Sequence, residues 1–256
     1  MEKEVILETL IKYKNILVEK GYNVIYIGLY GSQNYNLDDS NSDIDARAIV
    51  LPTLNDLIFR RSVSTVIEVD GVGAVDVKDL ITYYSVIKKG NTAFIEPIRS
   101  EYWIGDGTIR DLLGVIPANP KAVFGTMLEK QKALTHKYPS KEKEFELFGC
   151  DPKQLHHIIR LYDVLMENKK NAKKYIETAY LSYSGVLREF MLGVKRNNLE
   201  TGPIAKDAAE EMARQYIALA RGLLDNYFIE PYKIDEDLDD KVGNYIEQQL
   251  EIMMKG

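Results

Sequence analysis

The sequence predicts an α+β fold, in which a small mixed β-sheet with flanking helices is followed by a C-terminal helical domain. Short apolar runs rich in β-branched residues alternate with polar loops before Gly105. From Asp106 onward, apolar residues recur at helical spacing instead. Prolines and glycines punctuate the chain between Gly105 and Pro120, so we place a domain boundary there and expect domains at 1–116 and 117–256.

Composition and charge indicate a globular protein without membrane spans. The 256 residues are 28% charged and 45% hydrophobic, and no uncharged apolar run is long enough to cross a bilayer. The single cysteine, Cys150, cannot form an internal disulfide, and charges near the N-terminus stand where a secretory signal needs an apolar core. We therefore expect a cytoplasmic protein, and the net charge of −6 argues against indiscriminate binding of duplex nucleic acid.

The first elements predicted are a helix and a buried strand. Residues 1–20 have the spacing of an amphipathic helix, and Gly21 suits its C-terminal end. The predicted buried face of this helix consists of Ile6, Leu10, Tyr13 and Leu17. The apolar run that predicts the strand is formed by Val24, Ile25, Ile27 and Leu29.

A glycine–serine turn and a pair of aspartates follow this strand. Ser32, after Gly31, is suited to cap a short helix, whose outward N–H groups attract phosphate. After ten intervening residues come Asp43 and Asp45, separated by one residue. Residues i and i+2 share a face of a strand, so we expect the two carboxylates side by side, across from the turn. Because their charges repel, a hard cation such as Mg²⁺ would stabilise the pair.

A third carboxylate is available on a later strand. Asp76 is flanked by β-branched residues and follows a hairpin-like turn that joins predicted strands at 63–69 and 73–77. If its strand lies beside that of Asp43 and Asp45, three carboxylates converge. Such a site holds two divalent ions and suits in-line displacement at a phosphate.

The order of these motifs resembles the nucleotidyltransferase superfamily typified by DNA polymerase beta. Residues 31–35 and 42–47 are similar to the predicted-nucleotidyltransferase branch that includes RNA-ligase-associated RNA-repair proteins. The resemblance covers residues 22–103 well and 151–195 loosely. It implies a nucleotidyltransferase-type sheet in domain 1–116.

The same resemblance implies roles for the residues of the motifs. Gly31 and Ser32 would hold a triphosphate, and Asp43, Asp45 and Asp76 would bind two Mg²⁺ or Mn²⁺ ions. The implied activity transfers an NMP from an NTP, with ATP expected, to the hydroxyl of an RNA end, a small molecule or a protein, and releases pyrophosphate. The alternative is a non-catalytic nucleotide-binding or antitoxin-like regulatory module on the same fold.

Two residues near these motifs have more than one interpretation. Arg47 alternates with the two aspartates, and it can steer a phosphate or pair with a carboxylate. Asn91 is a good N-cap for a short helix. The segment that it opens resembles an Asn-Pro-x-x-x-Glu element of the same branch, with Thr92 in place of proline. For Glu96 we favour a structural hydrogen-bonding role.

A basic helix face is predicted after Asp151 and Pro152, which fit a helix start. Lys153, His157 and Arg160 fall on one face and can donate to phosphate. The helix resembles the Lys-x-x-x-His-x-x-Arg helix of the same branch, which implies that the helical domain closes the nucleotide cleft. The competing interpretation is a basic face turned to solvent.

Other charged and apolar segments carry simpler predictions. Residues 130–146 mix lysines with glutamates and predict a solvated helix or mobile loop. Residues 177–195 have the spacing of another amphipathic helix. The histidines and the cysteine lack the spacing of a zinc site.

Overall fold

The computed structural model describes residues 2–39, 42–169 and 179–255. Within these ranges the chain forms five strands and eleven α-helices. The strands are β1 Asn23–Leu29, β2 Ala46–Leu51, β3 Ser64–Val69, β4 Gly73–Asp79 and β5 Trp103–Gly105. The helices are α1 Lys3–Glu19, α2 Leu54–Ile58, α3 Leu80–Ile87, α4 Thr92–Arg99, α5 Gly107–Gly114, α6 Pro120–Thr135, α7 Glu142–Phe148, α8 Pro152–Lys169, α9 Gly185–Arg196, α10 Lys206–Tyr227 and α11 Leu238–Lys255.

The strands form one mixed sheet in the order β3-β4-β2-β1-β5. β2 and β4 are parallel, whereas β1 pairs antiparallel with both β2 and β5, and β3 pairs antiparallel with β4. The predicted α+β class, with a mixed sheet and flanking helices, is confirmed. No described helix combines the length and the hydropathy needed to cross a membrane.

Helix α1 covers the sheet with the apolar face that its periodicity predicts. Its buried residues are Ile6, Leu10, Tyr13 and Leu17. The last three pack with apolar side chains of β1, β2 and β4 in one core cluster. Burial of this surface stabilises the unit by roughly 25 cal/mol per Å². The Tyr13 hydroxyl also donates to the Ile44 carbonyl at 2.7 Å, which ties the segment before β2 to the helix.

The described chain divides into two compact units. The first consists of Met1–Asn34, Asp38–Pro117 and Lys233–Gly256, and it contains the whole sheet. Helix α11 therefore belongs to this unit, although the sequence-based domain limits group it with the helical part. The second unit consists of Tyr35–Leu37 and Ala118–Tyr232, and its described helices are α6 to α10.

One predicted helix begins later than its sequence indicates. Of residues 177–195, the first two lie outside the described residues, and 179–184 are not helical. The Tyr183 N–H donates to the Tyr35 carbonyl at 2.9 Å, and the Asn36 side chain donates to the Tyr183 carbonyl at 2.8 Å. These bonds use the backbone groups of Tyr183 outside any helix, so α9 begins at Gly185.

A close approach between β1 and α4 predicts that Gly28 does not tolerate a side chain. A Cβ at Gly28 would overlap the Pro97 carbonyl, which is backbone and already accepts from the Tyr26 hydroxyl at 2.9 Å. We expect Gly28→Ala to lower the free energy of unfolding by about 1–3 kcal/mol, measured by chemical denaturation.

The control substitution is Gly243→Ala in α11, in the same unit. A Cβ there meets no atom within 4 Å. Because alanine favours a helix over glycine by about 0.5–1 kcal/mol, this variant should be as stable as the parent protein or more so. Equal stability of the two variants would contradict the close packing at Gly28.

Candidate functional site

The turn after β1 is built around a glycine in the left-handed region. Gly31 has a φ of +112°, which residues with a side chain rarely adopt. Ser32–Tyr35 then forms a single turn of 3₁₀ helix. The Asn34 N–H donates to the Gly31 carbonyl at 3.1 Å. The short helix predicted at Ser32 is thus one tight turn, in which Gly31 supplies the conformation.

Glu96 of α4 holds this turn from within the unit. Its carboxylate is only 4% exposed and accepts the Gly31 N–H at 2.7 Å and the Asn34 side-chain amide at 3.0 Å. The Ser100 hydroxyl donates to the carbonyl oxygen of the Asn34 side chain at 2.8 Å. The structural role favoured for Glu96 is confirmed. Since a carboxylate already accepts the Gly31 N–H, this group does not also serve a phosphate in this conformation.

The two aspartates lie just before β2 and not within it. The strand begins at Ala46, so the prediction that Asp43 and Asp45 are strand residues is wrong at this boundary. The backbone of this segment bonds to the chain on both sides of it. The Ile44 N–H donates to the Val72 carbonyl before β4, and the Tyr30 N–H, after β1, donates to the Asp45 carbonyl. The alternation nevertheless persists, because Ile44 is buried, Asp43 is exposed and Asp45 is half-buried.

Backbone and side-chain bonds bring the glycine–serine turn and the aspartates together. The Tyr30 N–H, just before the turn, donates to the Asp45 carbonyl at 3.0 Å. The Gln33 amide of the turn donates to the Asp43 carbonyl at 2.7 Å. Gln33 was not among the predicted site residues, and nothing in its local sequence indicates this contact. The turn and the acid pair are therefore neighbours in the first unit.

Asp76 lies on β4, directly beside β2. The register of the parallel pair places Asp76 opposite Arg47. Asp45 reaches the same strand, because its carboxylate accepts the Ala74 N–H at 3.3 Å. Asp76 itself faces two cations, with its carboxylate 3.2 Å from the Arg47 Nε and 3.4 Å from the Lys78 Nζ.

Arg47 pairs with a carboxylate and is held on several sides. Besides Asp76, its Nη1 donates to the Ala93 carbonyl at 2.6 Å. The guanidinium carbon lies 3.9 Å from the centroid of the Phe94 ring and 4.8 Å from that of Tyr30. Of the two interpretations of Arg47, the structure shows the ion pair. Lys78 was missed, although residues i and i+2 of a strand share a face and Lys78 follows Asp76 at that spacing.

The negative field of the aspartates reaches two tyrosines. Burial, and then the charges of Asp45 and Asp43, raise the pKa of the Tyr13 hydroxyl. Burial and Asp45 likewise raise the pKa of Tyr30, against the opposing effect of Arg47. A tyrosine that stays protonated donates a hydrogen bond, as Tyr13 does to Ile44.

The carboxylates have the chemistry of a Mg²⁺ site without forming a closed cluster. Among the residues that the structure describes, no group of three or more histidine, cysteine, aspartate or glutamate side chains is arranged to hold a metal ion. Asp43 and Asp45 supply the hard oxygen ligands that Mg²⁺ and Mn²⁺ prefer. Asp76 would have to share its carboxylate with Arg47 and Lys78. The two-ion site at Asp43, Asp45 and Asp76 stays a prediction.

The predicted basic face lies on α8 in the second unit. Lys153 is exposed, while His157 and Arg160 are half-buried. The guanidinium carbon of Arg160 lies 3.6 Å from the centroid of the Tyr35 ring. Burial, and then the positive charge of Arg160, hold the pKa of His157 well below its ordinary value. His157 is therefore neutral at pH 7 and can donate an N–H to phosphate but no positive charge.

Comparison with protein-family models finds none that matches the chain, and comparison with curated proteins finds no similar sequence. The resemblance of the motifs to nucleotidyltransferases therefore stays a prediction.

Removal of the Glu96 carboxylate should destabilise the first unit. Glu96→Ala leaves two donors, the half-buried Gly31 N–H and the buried Asn34 amide, without this acceptor. We expect the free energy of unfolding to fall by about 2–4 kcal/mol, since each unsatisfied group costs about 1–3 kcal/mol. Chemical denaturation measures the change, and Glu96→Gln, which keeps one acceptor oxygen, should cost less.

The matched control is Glu101→Ala, which removes an exposed carboxylate from the same unit. We expect its free energy of unfolding to change by no more than about 0.5 kcal/mol. A loss as small in Glu96→Ala as in this control would show that Glu96 does not hold the turn.

Proposed function

We propose that this chain is a metal-dependent nucleotidyltransferase with a nucleotidyltransferase-type sheet in its first unit. The observation that carries this function is the pairing of β2 with β1 on one side and with β4 on the other. It brings three segments together: the turn at Gly31 and Ser32, the pair Asp43 and Asp45, and the strand of Asp76. The motif order supports the same function.

The reaction transfers an NMP from an NTP, with ATP preferred, to an acceptor hydroxyl. The acceptor oxygen bonds to the α-phosphorus, and the bond between that phosphorus and the bridging oxygen breaks. Pyrophosphate leaves with the electron pair, and the hydroxyl proton passes to solvent. The acceptor is an RNA end, a small molecule or a protein side chain. Two divalent ions, when bound at Asp43, Asp45 and Asp76, supply Lewis-acid stabilisation of the phosphate charge.

The residues of the first unit differ in how readily they can serve this reaction. Asp43 is exposed and accessible to a cation. Ser32 carries a hydroxyl at the turn, which can donate to a phosphate oxygen. Gly31 contributes the conformation of the turn, because Glu96 accepts its N–H.

Asp76 can become a cation ligand only if Arg47 or Lys78, its present ion-pair partners, moves away from its carboxylate. Arg47 is fixed by the Ala93 carbonyl and the Phe94 ring, so it stays in place and orients the carboxylate. Lys78 is a compact charge on a flexible stem, and the Ser64 hydroxyl, which accepts from it at 2.7 Å, offers it a second partner. Lys78 is therefore the partner that a divalent ion displaces.

Residues of the second unit add phosphate-binding capacity. Lys153 and Arg160 carry positive charges that can neutralise phosphate oxygens, and His157 can donate an N–H. Their assignment to the nucleotide rests on the resemblance of the α8 motif.

A non-catalytic nucleotide-binding module is the second candidate. The ion pairs of Asp76 with Arg47 and Lys78 favour it, because they neutralise one of the three carboxylates that catalysis requires. Calorimetry separates the two candidates. Mg²⁺-dependent binding of NTP, together with no transfer to any acceptor pool, would establish the binding module instead of the enzyme.

The test of the enzyme is transfer of label from α-³²P-NTP, with Mg²⁺ or Mn²⁺, to pools of RNA, small alcohols and cell lysate. We expect the double variant with Asp43→Asn and Asp45→Asn to lose transfer by at least about 100-fold, because the substitutions remove two charged ligands. The backbone bonds of both residues, which hold the segment in place, are retained.

Asp70→Asn is the matched control for this experiment. Asp70 is an exposed aspartate of the same unit, in the turn between β3 and β4, where asparagine before glycine is equally suited. Its transfer rate should equal that of the parent protein. Full transfer by the double variant at Asp43 and Asp45 would overturn the assignment of these residues.

A further inference from the structure

Lys130 of α6 occupies a position at which its helix is otherwise buried. The buried residues of α6 include Val123, Met127 and Leu134. Lys130 falls on the same stripe, because it follows Val123 by two helical turns and precedes Leu134 by one. It is half-buried, whereas its neighbour Lys132 is exposed. The prediction of a solvated helix over residues 130–146 is therefore wrong for Lys130.

The stripe that contains Lys130 faces α8. Helices α6 and α8 pack against one another, and the Asp151 N–H at the start of α8 donates to the Leu134 carbonyl near the end of α6 at 2.9 Å. Lys130 lies one turn before Leu134, and Lys153 lies in the first turn of α8. The turn of α6 that carries Lys130 and the first turn of α8, which carries Lys153, therefore lie at the same end of the helix pair.

Charged groups of both signs act on Lys130, and the two cations among them, Arg160 and Lys153, lie on α8. Burial lowers the pKa of Lys130, and Arg160 and Lys153 lower it further, against the opposing effects of Glu129 and Asp151. Asp151 is engaged in capping α8, since its carboxylate accepts the Lys153 N–H at 3.1 Å and the Gln154 amide at 2.8 Å. Glu129 is exposed on the neighbouring face of α6.

The two histidines of this region add donors without charge. His156 is 4% exposed, and neither of its ring nitrogens has a hydrogen-bond partner among the described residues. Burial, Arg160, Lys195 and Lys153 lower the pKa of His156 to about 3. Its ring lies 5.3 Å from that of His157. Lys130, Lys153 and Arg160 therefore carry positive charge in this region, together with Lys195, whose ammonium donates to the Leu37 carbonyl at 3.0 Å.

We propose that Lys130, Lys153 and Arg160 form an oxyanion site within the second unit, with Lys130 as an additional residue that binds the phosphates of the substrate or of the pyrophosphate product. All three side chains donate and none accepts, so a ligand with several negatively charged oxygens is the complement of the site. Tyr35, stacked on Arg160, fixes the plane of its guanidinium group. The identity of the ligand rests on the proposed function, but the existence of the site does not.

The experiment is calorimetric titration of the full chain with pyrophosphate, and separately with ATP, in EDTA so that divalent ions take no part. We expect the parent protein to bind pyrophosphate and Lys130→Met to weaken this binding about tenfold or more, because one charge-assisted contact is lost. Methionine keeps the apolar stem in the buried stripe, so the variant retains the packing of α6. Lys130→Arg should restore binding.

Two controls decide how the result is interpreted. Lys132→Met removes an exposed lysine of the same helix and should bind pyrophosphate as the parent does. The double variant with Asp43→Asn and Asp45→Asn should also bind, which separates this site from the catalytic assignment. Absence of binding by the parent protein, equal weakening by the two lysine variants, or loss of binding in the aspartate variant would overturn the site. ATP binding without pyrophosphate binding would also overturn it.

Binding should also take up protons. In the unbound protein, burial and nearby charges lower the pKa of both Lys130 and His157. The charges that affect the pKa of Lys130 are those of Arg160, Lys153, Glu129 and Asp151. The groups that affect the pKa of His157 are Arg160, His156, Lys130 and Lys153. A bound anion raises both pKa values, so the complex holds more protons than the unbound protein. For a given protonation state of pyrophosphate, the affinity should therefore rise as pH falls. Heats of binding that do not depend on the ionisation enthalpy of the buffer would contradict this linkage.

Discussion

Backbone hydrogen bonds between β2 and β4 set the register that places Arg47 opposite Asp76. The candidate site of the first unit depends on this pairing. The other edge of β2 pairs with β1, which ends at the Gly31 turn. Segments far apart along the chain are therefore held together by a ladder of main-chain bonds, to which the side chains of Gln33 and Asp45 add one bond each. The acids can be exchanged for amides without removing the bonds that hold the segments together.

Charge balance distinguishes the three acids of this unit. Asp43 is exposed, Asp45 accepts a backbone N–H of β4, and Asp76 faces the cations Arg47 and Lys78. A partly buried carboxylate beside two cations avoids the penalty of an unpaired charge, but it attracts a further cation less strongly. In the proposed metal site, Asp43 and Asp45 would consequently be the stronger cation ligands, and the contribution of Asp76 would depend on release of Lys78.

Local patterns predicted much of the fold, whereas contacts between distant residues required the structure. The spacing of Leu10, Tyr13 and Leu17 identified the buried face of α1, because the helical period alone determines it. The prediction of a helix that includes Tyr183 is wrong at this residue, because the backbone of Tyr183 bonds to residues 35 and 36, which are distant in sequence. The motif order identified the candidate acids, but nothing local to Asp76 reveals that Arg47 lies opposite. The prediction of a solvated helix was wrong for Lys130, because the many charged residues after it outweighed the helical spacing that links it to Val123 and Leu134.

The position of Lys130 links binding to the stability of the second unit. A lysine in a buried stripe beside Arg160 and Lys153 loses hydration and meets like charges, and both effects lower its pKa and disfavour the charged form. Replacing Lys130 by an apolar residue would remove this electrostatic and desolvation penalty, so packing alone does not account for a lysine there. A ligand that binds the folded unit and not the unfolded chain stabilises the unit by a free energy that grows with the logarithm of the ligand concentration divided by its dissociation constant. The unit is therefore expected to be least stable without an anion, and the cost of holding three cations together is offset when phosphate oxygens lie between them.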